Sequence, residues 1–204
     1  MEKEIKKENF KIFDLYDLDD VKVEDPGLQT VINLEPKLVI KSHGRAKGKF
    51  AKVQVNIVER LINQLQVPGH RGKKHKIITS HATGKFNKNL KIVLEVFKAL
   101  EKKYDKNPVQ IFVKAIENAS PRDEITVIEY GGARYPQAVD ISPLRRVNIT
   151  LRYLVQGGYD KAFNKKKTIV QGLTDEISLA YEANMESFAM QKKNESEKQA
   201  DSAR

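Results

Sequence analysis

Cysteine and tryptophan are absent from these 204 residues, and methionine occurs only three times. Without thiols there is no disulfide framework and no thiolate metal site, so stability has to come from a packed core. Long apolar runs are missing too. The hydrophobic stretches are a few residues each, far short of the roughly 20 that span a bilayer. The opening MEKEIKKENF lacks the apolar centre of a signal peptide, so the expected location is the cytoplasm. A domain of roughly 150 residues buries about 70% of its unfolded surface, enough for a core without staples. One domain with extensions is therefore the expected organisation.

Acidic residues are scarce in one region only. Residues 1–35 hold 5 basic and 10 acidic side chains, whereas residues 36–107 hold 18 basic and 4 acidic. Residues 108–204 are balanced, with 14 and 13, and the whole chain carries +10. A basic middle between an acidic arm and a neutral remainder points to a polyanionic partner. Nucleic acid is favoured over an anionic membrane, because no long amphipathic segment presents a bulky apolar face.

Recognisable catalytic groupings are also lacking. No serine, histidine and carboxylate form a constellation, and the Asp123-Glu124 pair reads as turn chemistry. His70, His75 and His81 are spaced by five and six residues, which matches no common zinc pattern. The glycines and lysines around them do not make a phosphate-binding loop of the Gly-Lys-Ser/Thr kind. The expectation is a binding protein, not an enzyme, with no cofactor and no metal.

What is present is a series of helical stripes interleaved with basic loops. Asp14, Asp17, Asp19, Asp20, Glu24 and Asp25 make the first 35 residues a poor ligand for phosphate. That arm is expected to pack on its own domain through Phe10, Ile12, Phe13, Leu15 and Tyr16, with contact to a neighbouring protein as the alternative. From Pro36 the stretch PKLVIKSHGRAKGKFAK contains no acid, and Lys41, Arg45, Lys47, Lys49 and Lys52 line it. Such a pliable strap can order along a phosphate backbone. Val55, Val58, Leu61, Ile62 and Leu65 predict a helix over 54–66, ended by Pro68-Gly69. Arg71, Lys73, Lys74 and Lys76 then form a basic loop. Leu90, Val93, Leu94, Phe97 and Leu100 predict a second helix closing at Lys102-Lys103-Tyr104.

The stretch Asn107 to Gln156 reads as helix, hairpin, helix. Val109, Phe112, Val113 and Ile116 recur at helical spacing behind Pro108, and Ala119-Ser120-Pro121 stops them. Ile125–Tyr130 and Arg134–Ile141 read as strands joined by Gly131-Gly132, a two-residue turn that would set Glu129 opposite Arg134 and Ile128 opposite Tyr135. Ser142-Pro143 opens the next helix. Stepping 100° per residue puts Leu144, Val147, Leu151, Leu154 and Val155 on one side. Arg145, Arg146, Arg152, Tyr153 and Gln156 fall on the other, a set suited to phosphate and base contacts. Gly157-Gly158 is expected to break that helix, leaving Tyr159 able to stack on a base. Lys165, Lys166 and Lys167 precede a final clear helix carrying Ile169, Leu173, Ile177 and Tyr181.

NPVQIFVKAIENASPR, the double-glycine hairpin and QAVDISPLRRVNITLRYLVQG resemble the small-subunit ribosomal protein seven family, in its archaeal and eukaryotic spelling. The likeness runs from about Leu15 to the C-terminus. It implies a mainly α fold, a helical bundle of about six helices with a protruding β-hairpin arm. It also implies binding to the 3′ major domain of small-subunit ribosomal RNA, nucleation of head assembly, and neighbouring head proteins as partners. The arm, with Tyr130, Gly131, Gly132, Arg134 and Tyr135, would lie near the exit-site transfer RNA and the messenger path. Three parts are expected: an acidic extension over 1–35, a helical RNA-binding domain over 36–185 with the hairpin at about 124–141, and a tail over 186–204. In the tail Lys192 and Lys193 are the candidate RNA contacts, tempered by Glu195, Glu197 and Asp201. The alternative is a non-ribosomal nucleic-acid-binding regulator, and a third class is a protein-only interaction module.

Overall fold

The computed structural model describes residues 11–36, 47–74 and 82–204. Arg45 and Lys76, with Phe10, Lys41, His75 and His81, fall outside that description. Among the described residues there are seven α-helices: α1 (Pro26–Gln29), α2 (Ile57–Gln66), α3 (Phe86–Tyr104), α4 (Pro108–Ala119), α5 (Pro143–Ala162), α6 (Ile169–Tyr181) and α7 (Phe188–Ser202). Between α4 and α5 the chain makes an antiparallel hairpin, β1 (Asp123–Tyr130) and β2 (Ala133–Asp140). The mainly helical class with a hairpin arm is as expected.

The predicted stripes meet in one core. Leu61, Ile62 and Leu65 of α2, Val93, Phe97 and Leu100 of α3, and Val109, Phe112 and Ile116 of α4 are fully buried. Val147 and Leu154 of α5, with Leu173 and Ile177 of α6, close it. Phe97 is the aromatic hub: its ring centroid lies 6.0 Å from Phe112, 6.1 Å from Tyr16 and 6.3 Å from Phe13. Phe13 and Tyr16 come from the acidic arm, which therefore lies on the body. Ile12 and Leu28 are fully buried there. The arm's backbone is tied down by side chains: Gln110 accepts from Lys22 N at 2.8 Å, and Glu117 accepts from Asp25 N at 3.0 Å. The Tyr16 hydroxyl, donated to Glu101 at 3.1 Å, has its pKa pushed up to about 12 by burial and by that carboxylate.

Local chemistry explains the boundaries. Asn107 accepts from Val109 N at 3.0 Å and so satisfies one of the free donors at the start of α4. Its amide nitrogen also donates to Asp17 O at 2.7 Å, joining cap and arm. Asn107→Ala is expected to lower stability by about 1–2 kcal/mol, read by thermal denaturation, with Asn107→Asp recovering the cap but not the arm contact. The hairpin register pairs Glu129 with Arg134 and Ile128 with Tyr135, as the turn predicts. Gly131 and Gly132 have φ of 59° and 80°, the left-handed conformation the turn needs.

Gly157-Gly158 do not break the arginine helix. α5 continues through both to Ala162. Both are buried, and they let α6 approach closely: a Cβ on Gly172 of α6 would sit 2.5 Å from the carbonyl oxygen of Gly158. A Cβ on Gly157 would sit 2.7 Å from Cδ of Glu176. That carboxylate is fully buried, accepts from the Ser187 hydroxyl at 2.7 Å and Ala189 N at 3.0 Å, and pairs with Lys161 at 2.6 Å. Through it α5 and α6 hold the N-terminus of α7. α7 in turn packs on the base of the hairpin, where Ser196 donates to Asp123 O at 3.0 Å.

Candidate nucleic-acid interface

The side chains of α5 do not divide as the helical projection suggests. Arg146 is 9% exposed and points inward. Its Nη2 donates to Asp25 at 2.8 Å and to Ser120 at 2.9 Å, and its Nε donates to Pro121 O at 3.2 Å. Burial works to raise the Asp25 carboxyl, but hydrogen bonds from Arg146 and Gly27 N, with the charges of Arg146 and Arg122, outweigh it and hold it low. Gln156, also expected outside, is buried and donates to Pro68 O at 3.2 Å. Tyr159 is 7% exposed, with its hydroxyl raised by burial and directed at Leu65 O, so it is not placed to stack on a base. The reason is the same in each case. These polar groups face partners supplied by chain segments distant in sequence.

Arg145 and Arg152 do face outward. Arg145 grips Glu124 at the foot of β1 through two hydrogen bonds of 2.7 and 2.8 Å, which raises its already high pKa. Arg152 is exposed and lies over Gly69, whose φ of 88° leaves no Cβ in the way of its Nε, 3.2 Å from where that atom would be. Both line a groove of about 470 Å³ with Lys52, Phe50, Gln64, Asn148 and Tyr153. Lys52 and Arg152 have no hydrogen-bond or ion-pair partner among the described residues. An exposed cation without a carboxylate is free to take a phosphate, and two of them line one groove.

Phe50 is the residue that sequence reasoning missed here. Its ring is 63% exposed, and its backbone sits at φ 64°, ψ 3°, a conformation that costs a bulky side chain roughly 1–2 kcal/mol. The available signal was one aromatic inside an acid-free strap, GKFAK. Lys47 and Lys49 are exposed beside it, Lys49 with its ammonium 5.4 Å from the ring centroid.

The other expected contacts are scattered. Lys73 and Lys74 are exposed on a short 3₁₀ turn. Arg71 is not free, since it pairs with Asp160 and lies 4.5 Å over the ring of Phe188, and burial lowers its pKa. Lys165 and Lys167 line a second cavity of about 370 Å³ with Lys88 and Asn89, Lys166 is exposed beside them, and Lys167 also pairs with Asp175 at 2.8 Å. In the tail, Lys192 pairs with Glu195. Lys193 is turned into the protein, donating to Asn118 O at 2.7 Å, with burial lowering its pKa. The hairpin is exposed on both faces over residues 126–137, with Tyr130 81% and Tyr135 58% exposed. Arg134 has Glu129 at 3.6 Å across the register.

Among the described residues no group of three or more histidines and carboxylates could hold a metal, and no helix is long and apolar enough to cross a membrane. Residues 30–204 match the family described as Ribosomal protein S7p/S5e. The chain belongs to this family. It is 48% identical over 195 residues to the small ribosomal subunit protein uS7 of Nanoarchaeum equitans, covering 95% of this chain and 98% of that one. Identity to the uS7 of Methanothermobacter thermautotrophicus is 48% over 193 residues, covering 94% and 98%. Against that of Archaeoglobus fulgidus it is 45% over 199 residues, covering 97% of each. The S7p/S5e family is one of structural ribosomal proteins, not enzymes, in keeping with the absence of a catalytic grouping in the sequence.

Proposed function

We propose that this S7p/S5e member is a structural constituent of the small ribosomal subunit in the cytoplasm, binding the 3′ major domain of its RNA and nucleating head assembly. The single observation carrying this reading is the groove in which Lys52 and Arg152 stand without acidic partners among the described residues. The body over 36–185 holds the RNA, with Lys47, Lys49, Lys73 and Lys74 extending the positive surface. The arm over 11–35 buttresses the core, and the tail over 186–204 braces the hairpin. The hairpin is the part that reaches toward exit-site transfer RNA, messenger RNA and neighbouring head proteins. A two-stranded ribbon is only marginally stable alone, so an arm exposed on both faces gains by lying against a partner.

Filter binding tests the reading, with transcripts of the 3′ and 5′ domains of small-subunit RNA and a duplex DNA of equal length. Preference for the 3′ domain is expected, with log affinity falling against log salt by roughly 0.7–0.9 per phosphate contacted. A flat salt titration, or equal affinity for all three, would overturn it. Preference for the duplex would favour a regulator instead. Cosedimentation with the small subunit after a high-salt wash is the cellular counterpart.

Removing residues 128–136 from the arm is expected to leave the melting transition and most RNA affinity intact, because every residue removed is exposed. Ribosomes carrying the shortened protein should instead show altered exit-site occupancy or frame maintenance. Unchanged values of both would argue that the arm does not reach that site.

A further inference from the structure

The groove beside α5 has an apolar rim that phosphate contacts leave unexplained. Phe50 holds its ring out in solvent on a left-handed backbone, so it returns neither burial nor relaxed geometry to the fold. Strain of this kind persists where the surroundings impose it, and it recurs at ligand clamps. The surroundings here are specific. Phe50 shares its groove with Tyr153, whose ring is partly exposed and fixed edge-on against Phe188 at 6.1 Å. Gln64 and Asn148 supply amides, and the free cations Lys52 and Arg152 supply charge. Among the described residues the one carboxylate lining the groove, Glu124, is already held by Arg145.

We propose that Phe50 is a stacking platform for one unpaired nucleobase, whose flanking phosphates rest on Lys52 and Arg152. This deepens the RNA-binding reading and rests on it. The occupant follows from the chemistry of the groove. An apolar peptide would leave Lys52 and Arg152 facing nothing, and a paired duplex offers no free base face to the ring. A single-stranded nucleotide satisfies both at once, since every base has a π-face and every linkage a negative charge. Lys49, poised over the same ring, adds a cation to the stack.

The test uses the full chain and a single-stranded RNA carrying one 2-aminopurine, with a fully paired RNA of equal length as control. Wild type is expected to quench the fluorophore and to prefer the single strand. Phe50→Ala should lose the quench and roughly 5- to 150-fold in affinity for the single strand, with little change for the duplex and no change in salt slope. Phe50→Trp should restore both, and Phe50→Leu should not. Phe50→Gly separates stacking from folding: relieved of the left-handed strain, it should melt at or above the wild type yet bind like Phe50→Ala. If the Phe50 variants quench and bind as wild type does while Lys52→Glu and Arg152→Glu lose affinity, the RNA face stands and the stacking platform falls. If the charge reversals bind normally as well, the RNA reading of this groove fails with it.

Discussion

Arg146→Glu is expected to unfold the protein or bring it close to unfolding, whereas Arg152→Glu, six residues along the same helix, should fold normally. Arg146 is buried against Asp25, Ser120 and the Pro121 carbonyl, and the substitution would set a buried carboxylate against the partly buried one of Asp25. Even Arg146→Met, which adds no charge, leaves Asp25 without its main partner. Breaking a fully buried pair by removing one member costs about 3–5 kcal/mol, and solvent reaching Asp25 puts the loss here at the lower end of that range. Folded domains of this size have about 5–15 kcal/mol in hand, so that loss is a large share of the total. Arg152 has no side-chain partner to lose among the described residues, and its reversal should change stability by less than about 0.5 kcal/mol. RNA affinity should fall in its place, with the salt slope reduced by about 1 for the lost phosphate contact.

Acid provides an internal check on the pair. The Asp25 carboxyl is lower in the folded protein than its ordinary value of 3.8, so its contribution is present above that value. It is lost as pH falls through the folded pKa, because the unfolded chain binds the proton first. The stability gap between wild type and Arg146→Met should therefore narrow below about pH 4. Urea melts at neutral pH and below pH 4, with filter binding at neutral pH, decide the matter. If Arg146→Glu melts like the wild type and loses RNA affinity, the inward placement is wrong and the residue belongs to the RNA face.

Why the arginines misled is instructive about what a sequence makes legible. The helical stops at Pro121 and Pro68, the turn at Gly131-Gly132 and the apolar stripes of α2, α3, α4 and α6 rest on chemistry within a few residues. Those could be read directly. A helical projection divides a helix into one apolar face and one polar face, and it has no means of seeing a second protein surface. Arg146 faces inward because the acidic arm folds back and delivers Asp25 from 121 residues away. Glu176 and Lys193 were open to misreading for the same reason, as charges that look solvent-facing locally but hold α7 and the end of α4. The free cations Lys52 and Arg152 were legible as charge. That they share one groove with Phe50 depends on how the strap lies against α5, which no local pattern records.

Glycine-to-alanine substitutions at the α5–α6 crossing should rank in an order that helix propensity alone does not give. By helix propensity each of Gly157, Gly158 and Gly172 should gain about 1 kcal/mol on becoming alanine. Packing opposes this to different degrees. At Gly172 the new methyl would lie 2.5 Å from the Gly158 carbonyl oxygen, a backbone atom that cannot turn aside. The helices would have to separate, and overpacking of this kind costs about 1–3 kcal/mol or more. The two helices bury Val147, Leu154, Leu173 and Ile177 together with the rest of the core, so separation loosens it widely. At Gly157 the clash is with the Glu176 carboxylate at 2.7 Å and with Phe188 Cβ at 2.9 Å. Moving Glu176 would strain its bonds to Ser187 and Ala189 and its pairing with Lys161. At Gly158 the nearest atoms are Cα and Cδ1 of Leu173, both at 3.2 Å, so the α6 backbone would have to give by only a few tenths of an ångström, far less than at Gly172. The expected order of damage is Gly172 first, Gly157 next and Gly158 last, with Gly158→Ala close to neutral. Gly172→Leu should not fold, since its side chain has only the α5 backbone to enter. Melting temperatures of the four variants test the ranking, and a Gly172→Ala protein as stable as the wild type would show that α5 and α6 are not packed backbone to backbone.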